Sequence, residues 1–578
     1  MSPLLNENTA WCRAITATLS ALGVQDAVVC PGARSAAMVS ALGESGHYRL
    51  FVQTDERSAA FFALGLARST GRPAAICVTS GSAVANLVPA LSEAYALGLP
   101  LVVLSCDRPK RLRTMGLPQT TRQVDFCRPV VEAALDLDDP SLDEQALAAA
   151  LAEIEALAPH LRPGPQQGPV QINIPLSGKM SSVDGVHGWK AGTDRVAEMP
   201  LAKSPDPTAP QPDIAALIAA LDAPPQPKGL IVVGPDSHGI GLEEIRLLAE
   251  ATQFPVIADA PGSVRGLGIP GLVAEADFLV SRPEMAKNHP DMVIRIGSAP
   301  VSASLQQYLQ AAQAQERPAK VLRINSRPIE GDFLAPSFVA LISPAADTLR
   351  QLAAALPKGD PAWRDHWAGL SQLCRQRLQQ ALPETSWSEL VAVAEALSRP
   401  AFSFIHVANS LTLRLTNLLL PASGDRRPVY LNRGVSGIDG TIGTFLGEVA
   451  GEQKRGLLLI GDLAAIHDIP AFEACLHQDF KGAVLLLNNS GAGLFDLLPV
   501  RTVPSYDRLI RNPTRIDFGG IARAFGLGFS RCETMESLRQ ALDQAERGEQ
   551  LHVIEAVVPA GGAPAIMARL LSRLAAPV

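Results

Sequence analysis

The sequence predicts three doubly wound α/β domains with mainly parallel central sheets, on three observations. Short, nearly continuous apolar runs rich in Val, Ile and Leu alternate with longer amphipathic stretches, the pattern of strands covered by helices on both faces. The alternation is broken by a proline-rich stretch without periodicity, MPLAKSPDPTAPQPD, and fades again into a polar helical region. Polar residues gather just after the apolar runs, at the carboxyl ends where open α/β sheets bind ligands. The domains that follow are a first over 1–198, a linker over 199–213, a central domain over 214–355, a helical linker region over 356–395 and a third domain over 396–578.

In the first domain DAVVCPG, RLFVQTDE, AAICVTSG, LPLVVLSCDRP and PVQINIP read as strands. SAAFFALGLARSTG reads as a helix closed by Gly71, and AVANLVPALSEAYALG as one closed by Gly98. The central domain offers GLIVVGPDSHG, FPVIADA, MVIRIGSAP and KVLRINS, and the third RPVYLNRG, GLLLIGDLAA, GAVLLLNNSG and HVIEAVV.

A chain of 578 residues, 47% hydrophobic and 19% charged, should hold several large cores. A net charge of −7 argues against a nucleic-acid-binding face, which needs a basic surface. The eight cysteines show no CxxC and no Cys/His spacing, so they read as reduced, buried thiols and not as a disulfide frame or zinc site. The start MSPLLNENTAWCRAI lacks the basic-then-apolar pattern of a secretory leader, and no apolar run reaches about 18 residues. The expected compartment is the cytoplasm.

Two places carry chemistry. In VQTDERSAAFFALGLA, charged Asp55, Glu56 and Arg57 stand between an apolar strand and an apolar helix. Either a carboxylate there caps the helix, or it is a catalytic acid held at a strand end. The second place is GDLAAIHD followed by LLLNNSG. Twenty-seven residues separate Asp462 from Asn489, one strand–helix–strand unit, so both side chains reach neighbouring strand ends. A carboxylate, a carboxamide and a backbone carbonyl make a hard oxygen site suited to Mg2+ with ligand phosphates. Gly461 leaves room for a diphosphate.

With these motifs the chain resembles the thiamine-diphosphate-dependent enzymes, whose cofactor motif begins Gly-Asp and ends Asn-Asn. Glu56 followed by an Ala-rich helix and ARSTGRPAAICVTSGSAVAN strengthens the likeness. PGARS, TSGSAVANLVPAL, DRP, ANSLTLR, NRGVSGIDGTIGT and GDLAAIHD together resemble the 2-succinyl-5-enolpyruvyl-6-hydroxy-3-cyclohexene-1-carboxylate synthase family of menaquinone and phylloquinone biosynthesis. That resemblance implies a thiamine-diphosphate-binding fold and a transferase. Such a transferase would decarboxylate 2-oxoglutarate and add the succinyl carbanion equivalent to isochorismate.

The resemblance also implies roles. Glu56 would hydrogen-bond the pyrimidine N1′ of the cofactor, and Ile438 would prop the cofactor in its bent shape. Gly461, Asp462, Asn489 and Gly491 would hold the diphosphate and the metal (Mg2+, or Mn2+ in its place), with Asp462, Asn489 and the Gly491 carbonyl as ligands. Arg34, Arg108, Gln119, Arg414 and Arg433 would bind substrate, with Ser410 and Gln119 near the reacting carbons and Phe495 and Leu498 walling the site. Cofactor sites would lie between subunits of a homodimer or a dimer of dimers.

Both substrates are multiply anionic, so a cluster of Arg forks in an acidic protein fits them independently. The chain departs from the family pattern at Ala33, Pro118 and Ser490, and no basic residue follows the Gly-Ser strand end near Ala303. The alternative within the superfamily is a 2-oxoacid decarboxylase or an acetolactate-synthase-type carboligase. VVGPDSHGIG carries no dinucleotide fingerprint, so no FAD is expected.

Overall fold

The computed structural model describes residues 4–177, 189–190, 213–236, 240–262, 264–266, 268–328, 331–341, 348–422 and 424–575. The linker read at 199–213 lies outside them except for Asp213. That residue caps the helix Ile214–Leu221 by accepting from the Ala216 N–H at 3.0 Å. Residues 237–239 of the glycine-containing VVGPDSHGIG also lie outside.

The chain folds as two compact units. The first comprises Met1–Asp206, Gly434–Lys454 and Ile466–Phe480; the second comprises Pro207–Arg433, Arg455–Ala465 and Lys481–Val578. Among the described residues three six-stranded sheets form, every pairing in them parallel, one in the first unit and two in the second. The predicted α/β class is what the chain adopts. No helix of the described residues is long and apolar enough to cross a membrane.

In the first unit the strands run in the order Arg49–Val52, Asp26–Val29, Ala74–Val78, Leu101–Asp107, Val170–Pro175, Ala133–Asp136. Strands that are buried along their whole length read as apolar runs because helices cover both faces. The edge strand Ala133–Asp136 escapes a sequence reading because it is short and only half-buried. Leu272–Val273, Phe338–Leu341 and Gly528–Cys532 are edges that were not read either, whereas the edges Arg49–Val52 and Val429–Tyr430 fall in RLFVQTDE and RPVYLNRG. Phe404–Val407 is an interior strand that was also missed, a four-residue run that passes at once into ANSLTLR.

The helix read from AVANLVPALSEAYALG is two helices, Ser82–Ala85 and Val88–Leu97. Pro89 has no N–H to give to the Ala85 carbonyl, so the first helix cannot run through. Both predicted closing glycines are left-handed, Gly71 at φ 65° and Gly98 at φ 69°. In the second unit, the helix Pro361–Ala381 falls inside the polar region 356–395. It buries Trp363 and Trp367 in an apolar core shared with the strand Phe404–Val407, and Trp363 donates to the Gly229 carbonyl at 3.0 Å.

Within the first unit the helix that starts at Glu56, Glu56–Thr70, lies against Thr441–Glu452 with almost no side chain between them. A Cβ on Gly65 would stand 2.1 Å from the Thr444 carbonyl oxygen, and one on Gly447 would stand 2.1 Å from that of Phe62. Beside this contact Arg68 pairs with the fully buried Glu448 at 3.1 Å. Gly447→Ala forces the backbones apart and should lower stability by about 1–3 kcal/mol. A denaturant midpoint equal to that of the unaltered protein would contradict the close approach.

Candidate active site

In the first unit Asp55 and Glu56 take different places at the start of one helix. Asp55 caps the helix: its carboxylate accepts from the N–H groups of Arg57 at 2.9 Å and Ser58 at 3.2 Å. Glu56 is then the first helical residue, half-buried, and accepts from the Asn86 carboxamide at 3.1 Å. Asn86 sits in the break between the two helices described above, so the proline that splits them places this partner. Arg57 turns away, donating to the His467 carbonyl at 2.8 Å.

The carboxyl ends of Leu101–Asp107 and Val170–Pro175 gather the cations of this unit. Arg34 donates to the carbonyls of Leu176 at 2.8 Å and Ser177 at 3.0 Å. Burial, and after it the neighbouring Arg108, lowers the Arg34 pKa. Arg108 holds the Pro118 carbonyl through Nε at 3.2 Å and Thr120 Oγ1 at 3.1 Å. Pro118, a departure from the family pattern, thus anchors Arg108 by its backbone. Gln119 follows, exposed and at φ 55°, and its Cα lies 3.5 Å from where a Gly81 Cβ would be.

Ile438 is 37% exposed, which removes the core-packing explanation of this residue. Its loop is fixed by Glu93, a residue that sequence reasoning did not single out. The buried Glu93 carboxylate accepts from the N–H groups of Gly434 and Val435, both at 2.7 Å. Burial raises its pKa, and those two N–H groups draw it back.

The second unit carries the metal-type motif. Gly461 ends the strand Gly456–Gly461, and no atom lies within 4 Å of where its Cβ would be. Asp462 is buried and accepts from Gly491 N–H at 2.7 Å and Leu463 N–H at 2.8 Å. Burial pushes its pKa up to about 6 against those donors. Asn489, buried at the end of Gly482–Asn488, donates to Glu389 at 3.0 Å, while its carboxamide oxygen has no hydrogen-bond partner. An oxygen left in that state costs about 1–3 kcal/mol, so it points to a ligand.

Gly491 is at φ 124°, and a Cβ there would stand 2.4 Å from the Arg511 carbonyl oxygen, so only glycine fits. Arg511 braces the turn, donating to the Asn489 carbonyl at 2.8 Å and pairing with Asp496, which also accepts from Tyr506 at 2.6 Å. Glu389, Arg511, Asp496 and Tyr506 were not legible. Glu389 stands 100 residues from Asn489, and the other three have no motif around them.

Ser410 precedes the helix Leu411–Leu419 at φ 81°, ψ −136°, a region that is essentially glycine-only. Its carbonyl accepts from Arg414 at 3.0 Å, and Arg433 donates to Asn409 at 3.1 Å. Burial and then the Arg433 charge lower the Arg414 pKa, although Arg414 reaches solvent. Phe495 and Leu498 are 36% and 43% exposed, so they form surface and not core. Where the family pattern has a basic residue, Ser302 caps Ala303–Gln313, and the buried Asp259 accepts from the Val301 N–H at 2.7 Å.

Residues 11–126 match the family model described as thiamine pyrophosphate enzyme, N-terminal TPP binding domain, and 429–556 match the C-terminal TPP binding domain. The fold and both motif regions are therefore those of a thiamine-diphosphate-binding enzyme. A 2-succinyl-5-enolpyruvyl-6-hydroxy-3-cyclohexene-1-carboxylate synthase of Halobacterium salinarum is 32% identical to the chain, over 98% of each. Proteins of that name from Geobacillus kaustophilus and Myxococcus xanthus are 32% and 31% identical, over 95% and 100% of this chain and 94% and 99% of their own. The chain belongs to the 2-succinyl-5-enolpyruvyl-6-hydroxy-3-cyclohexene-1-carboxylate synthase family.

The strained backbone at Ser410 yields a paired expectation. Ser410→Gly relieves about 1–3 kcal/mol of strain, less about 0.4–1 kcal/mol of added chain entropy. The thermal midpoint should rise while turnover falls. A lower midpoint would show that the conformation is unstrained.

Proposed function

We propose that this chain catalyses the thiamine-diphosphate-dependent decarboxylation of 2-oxoglutarate and addition of the resulting succinyl unit to isochorismate. The product is 2-succinyl-5-enolpyruvyl-6-hydroxy-3-cyclohexene-1-carboxylate, on the route to menaquinone or phylloquinone. The observation that carries the cofactor half of this reading is the buried Asn489 oxygen, without a hydrogen-bond partner among the described residues, in one turn with Gly491, whose N–H donates to Asp462 on the neighbouring strand end. Such a donor set fits a hard divalent cation holding a diphosphate. The residues present therefore fit the group, with Asp462, Asn489 and the Gly491 carbonyl as ligands to Mg2+ or Mn2+ and Gly461 leaving space for phosphate.

When bound, thiamine diphosphate supplies the electron sink that decarboxylation needs. Glu56 holds the proton shared with the pyrimidine N1′, kept in place by Asn86. Ile438, presented by the loop that Glu93 fixes, supports the cofactor's bent shape. Arg34, Arg108, Arg414 and Arg433 take the substrate carboxylates, which are too numerous for fewer cations in a protein of net charge −7. Gln119 and Ser410 orient the reacting carbons. Phe495 and Leu498 shield them from water.

The enzyme works in the cytoplasm as a homodimer or homotetramer, each cofactor lying between two subunits, Glu56 from one and Asp462 from its partner. A second reading keeps the cofactor and makes the chain another 2-oxoacid decarboxylase, or an acetolactate-synthase-type carboligase with a different acceptor; it is favoured by the lack of a basic residue in the sequence after the Gly-Ser strand end, GSAPVSASLQQ.

The deciding assay compares 2-oxoglutarate plus isochorismate with 2-oxoglutarate or pyruvate alone. Product formation should require isochorismate, and CO2 release without it would support the second reading. In the same assay Glu56→Gln should keep thiamine diphosphate affinity and lose most turnover; near-normal turnover would remove Glu56 from proton sharing.

Metal binding competes with the proton on Asp462. That carboxyl, raised to about 6, is ionised above pH 6 and protonated below it. Calorimetric affinity for Mg2+ and thiamine diphosphate should weaken as pH falls below about 6, towards tenfold per unit. Asp462→Ala should abolish it. Affinity unaffected by the substitution would refute the metal site.

A further inference from the structure

Beneath the first unit's substrate cations lies a buried chain of amides and carboxylates that no motif announced. Its centre is Asn173, in the strand Val170–Pro175 and fully buried. The carboxamide nitrogen donates to Asp107 at 3.1 Å and Asp136 at 2.8 Å. The oxygen accepts from Ser105 Oγ at 2.9 Å and Gln123 Nε2 at 2.7 Å. All four hydrogen-bonding positions of the group are filled. Turning the amide over would set its oxygen against two carboxylates, so one orientation is enforced.

From this group two branches reach the site. Asp107 accepts from the Arg108 N–H at 2.7 Å, and Arg113 bridges Asp107 at 3.0 Å, Asp136 at 2.8 Å and the Arg108 carbonyl at 3.0 Å. On the other side Gln123 accepts from the Gly81 N–H at 3.3 Å, and Gly81 is the residue on which Gln119 rests. Burial would lift the Asp136 pKa, but the hydrogen bonds from Arg113 and Asn173 hold it below the ordinary range.

We infer that Asn173 is a positioning residue for the reaction, setting Arg108 and Gln119 together for a substrate carboxylate through Asp107 on one side and Gln123 on the other. The inference rests on the substrate reading above.

The test is steady-state kinetics of the holoenzyme with each substrate varied, at pH 6 and pH 8. Asn173→Asp places a third carboxylate between Asp107 and Asp136, which face Arg113, Lys110 beyond it on the Asp136 side and Arg34 on the Asp107 side. One proton must then be shared, and it is lost as pH rises. The KM of at least one carboxylate substrate should rise tenfold or more at pH 8 and recover towards the unaltered value at pH 6. Thiamine diphosphate affinity should be unchanged. Gln123→Met cuts only the Gly81 branch and should raise the same KM severalfold at both pH values. KM values within twofold of the unaltered enzyme in both variants overturn the inference, as does an Asn173→Asp defect equal at the two pH values. Should Asn173→Asp fail to fold, Gln123→Met decides alone.

If the unaltered enzyme does not turn over 2-oxoglutarate with isochorismate, it is the substrate reading that has failed. Calorimetric titration of the holoenzyme with succinate, as a carboxylate probe, then decides the positioning role. Binding weakened tenfold by Asn173→Asp at pH 8 supports it, and equal binding overturns it.

Discussion

A parallel sheet covered by helices on both faces leaves its polar backbone paired and most of its side chains apolar, so the groups that can meet a ligand collect at the strand ends. The rest of this molecule follows from that constraint. Glu56, Arg34 and Arg108 in one unit, and Asp462, Asn489 and Arg433 in the other, stand at or just past carboxyl ends. Their partners are in turn drawn from adjoining ends and loops: Leu176 and Ser177 carbonyls for Arg34, the Gly491 N–H for Asp462, Glu389 for Asn489.

Two of the carboxylates brought into such places, Glu93 and Asp462, are held by backbone donors. Glu93 takes two N–H groups of the Gly434 loop, and Asp462 takes those of Leu463 and Gly491. A carboxylate satisfied in this way stays buried without a countercharge, which leaves the cations of the protein available for anionic ligands. The pattern also accounts for positive φ at the non-glycine residues Ser436 and Ser490, which adjoin the donating N–H groups of Val435 and Gly491. Loops that aim N–H groups inward bend sharply, and the surrounding contacts hold the strain.

The buried strands and the two motifs were legible because each is local. An apolar run betrays a strand covered on both faces, and Gly461-Asp462 with Asn488-Asn489 needs only the length of one strand–helix–strand unit. Asp55 as cap and Glu56 as the projecting acid could both be read from one helix start. What stayed hidden was set by distance or by moderation. Edge strands such as Ala133–Asp136 bury too little to show a pattern. Glu93, Glu389, Arg511 and Asn173 act on residues far along the chain, and a buried Asn in PVQINIP looks like any polar residue in a strand. The exposure of Ile438 and Phe495 could not be read either, since an apolar side chain awaiting a ligand has the same sequence signature as one in a core.

The contact between Gly65 and Gly447 has a thermodynamic meaning beyond stability. One of its helices begins with Glu56, and the other follows directly on the loop that presents Ile438. Backbones that touch without intervening side chains have no rotamers to adjust, so these two groups are carried as one rigid body. The entropy of fixing Glu56 and Ile438 relative to each other is therefore spent when the chain folds, before any ligand binds.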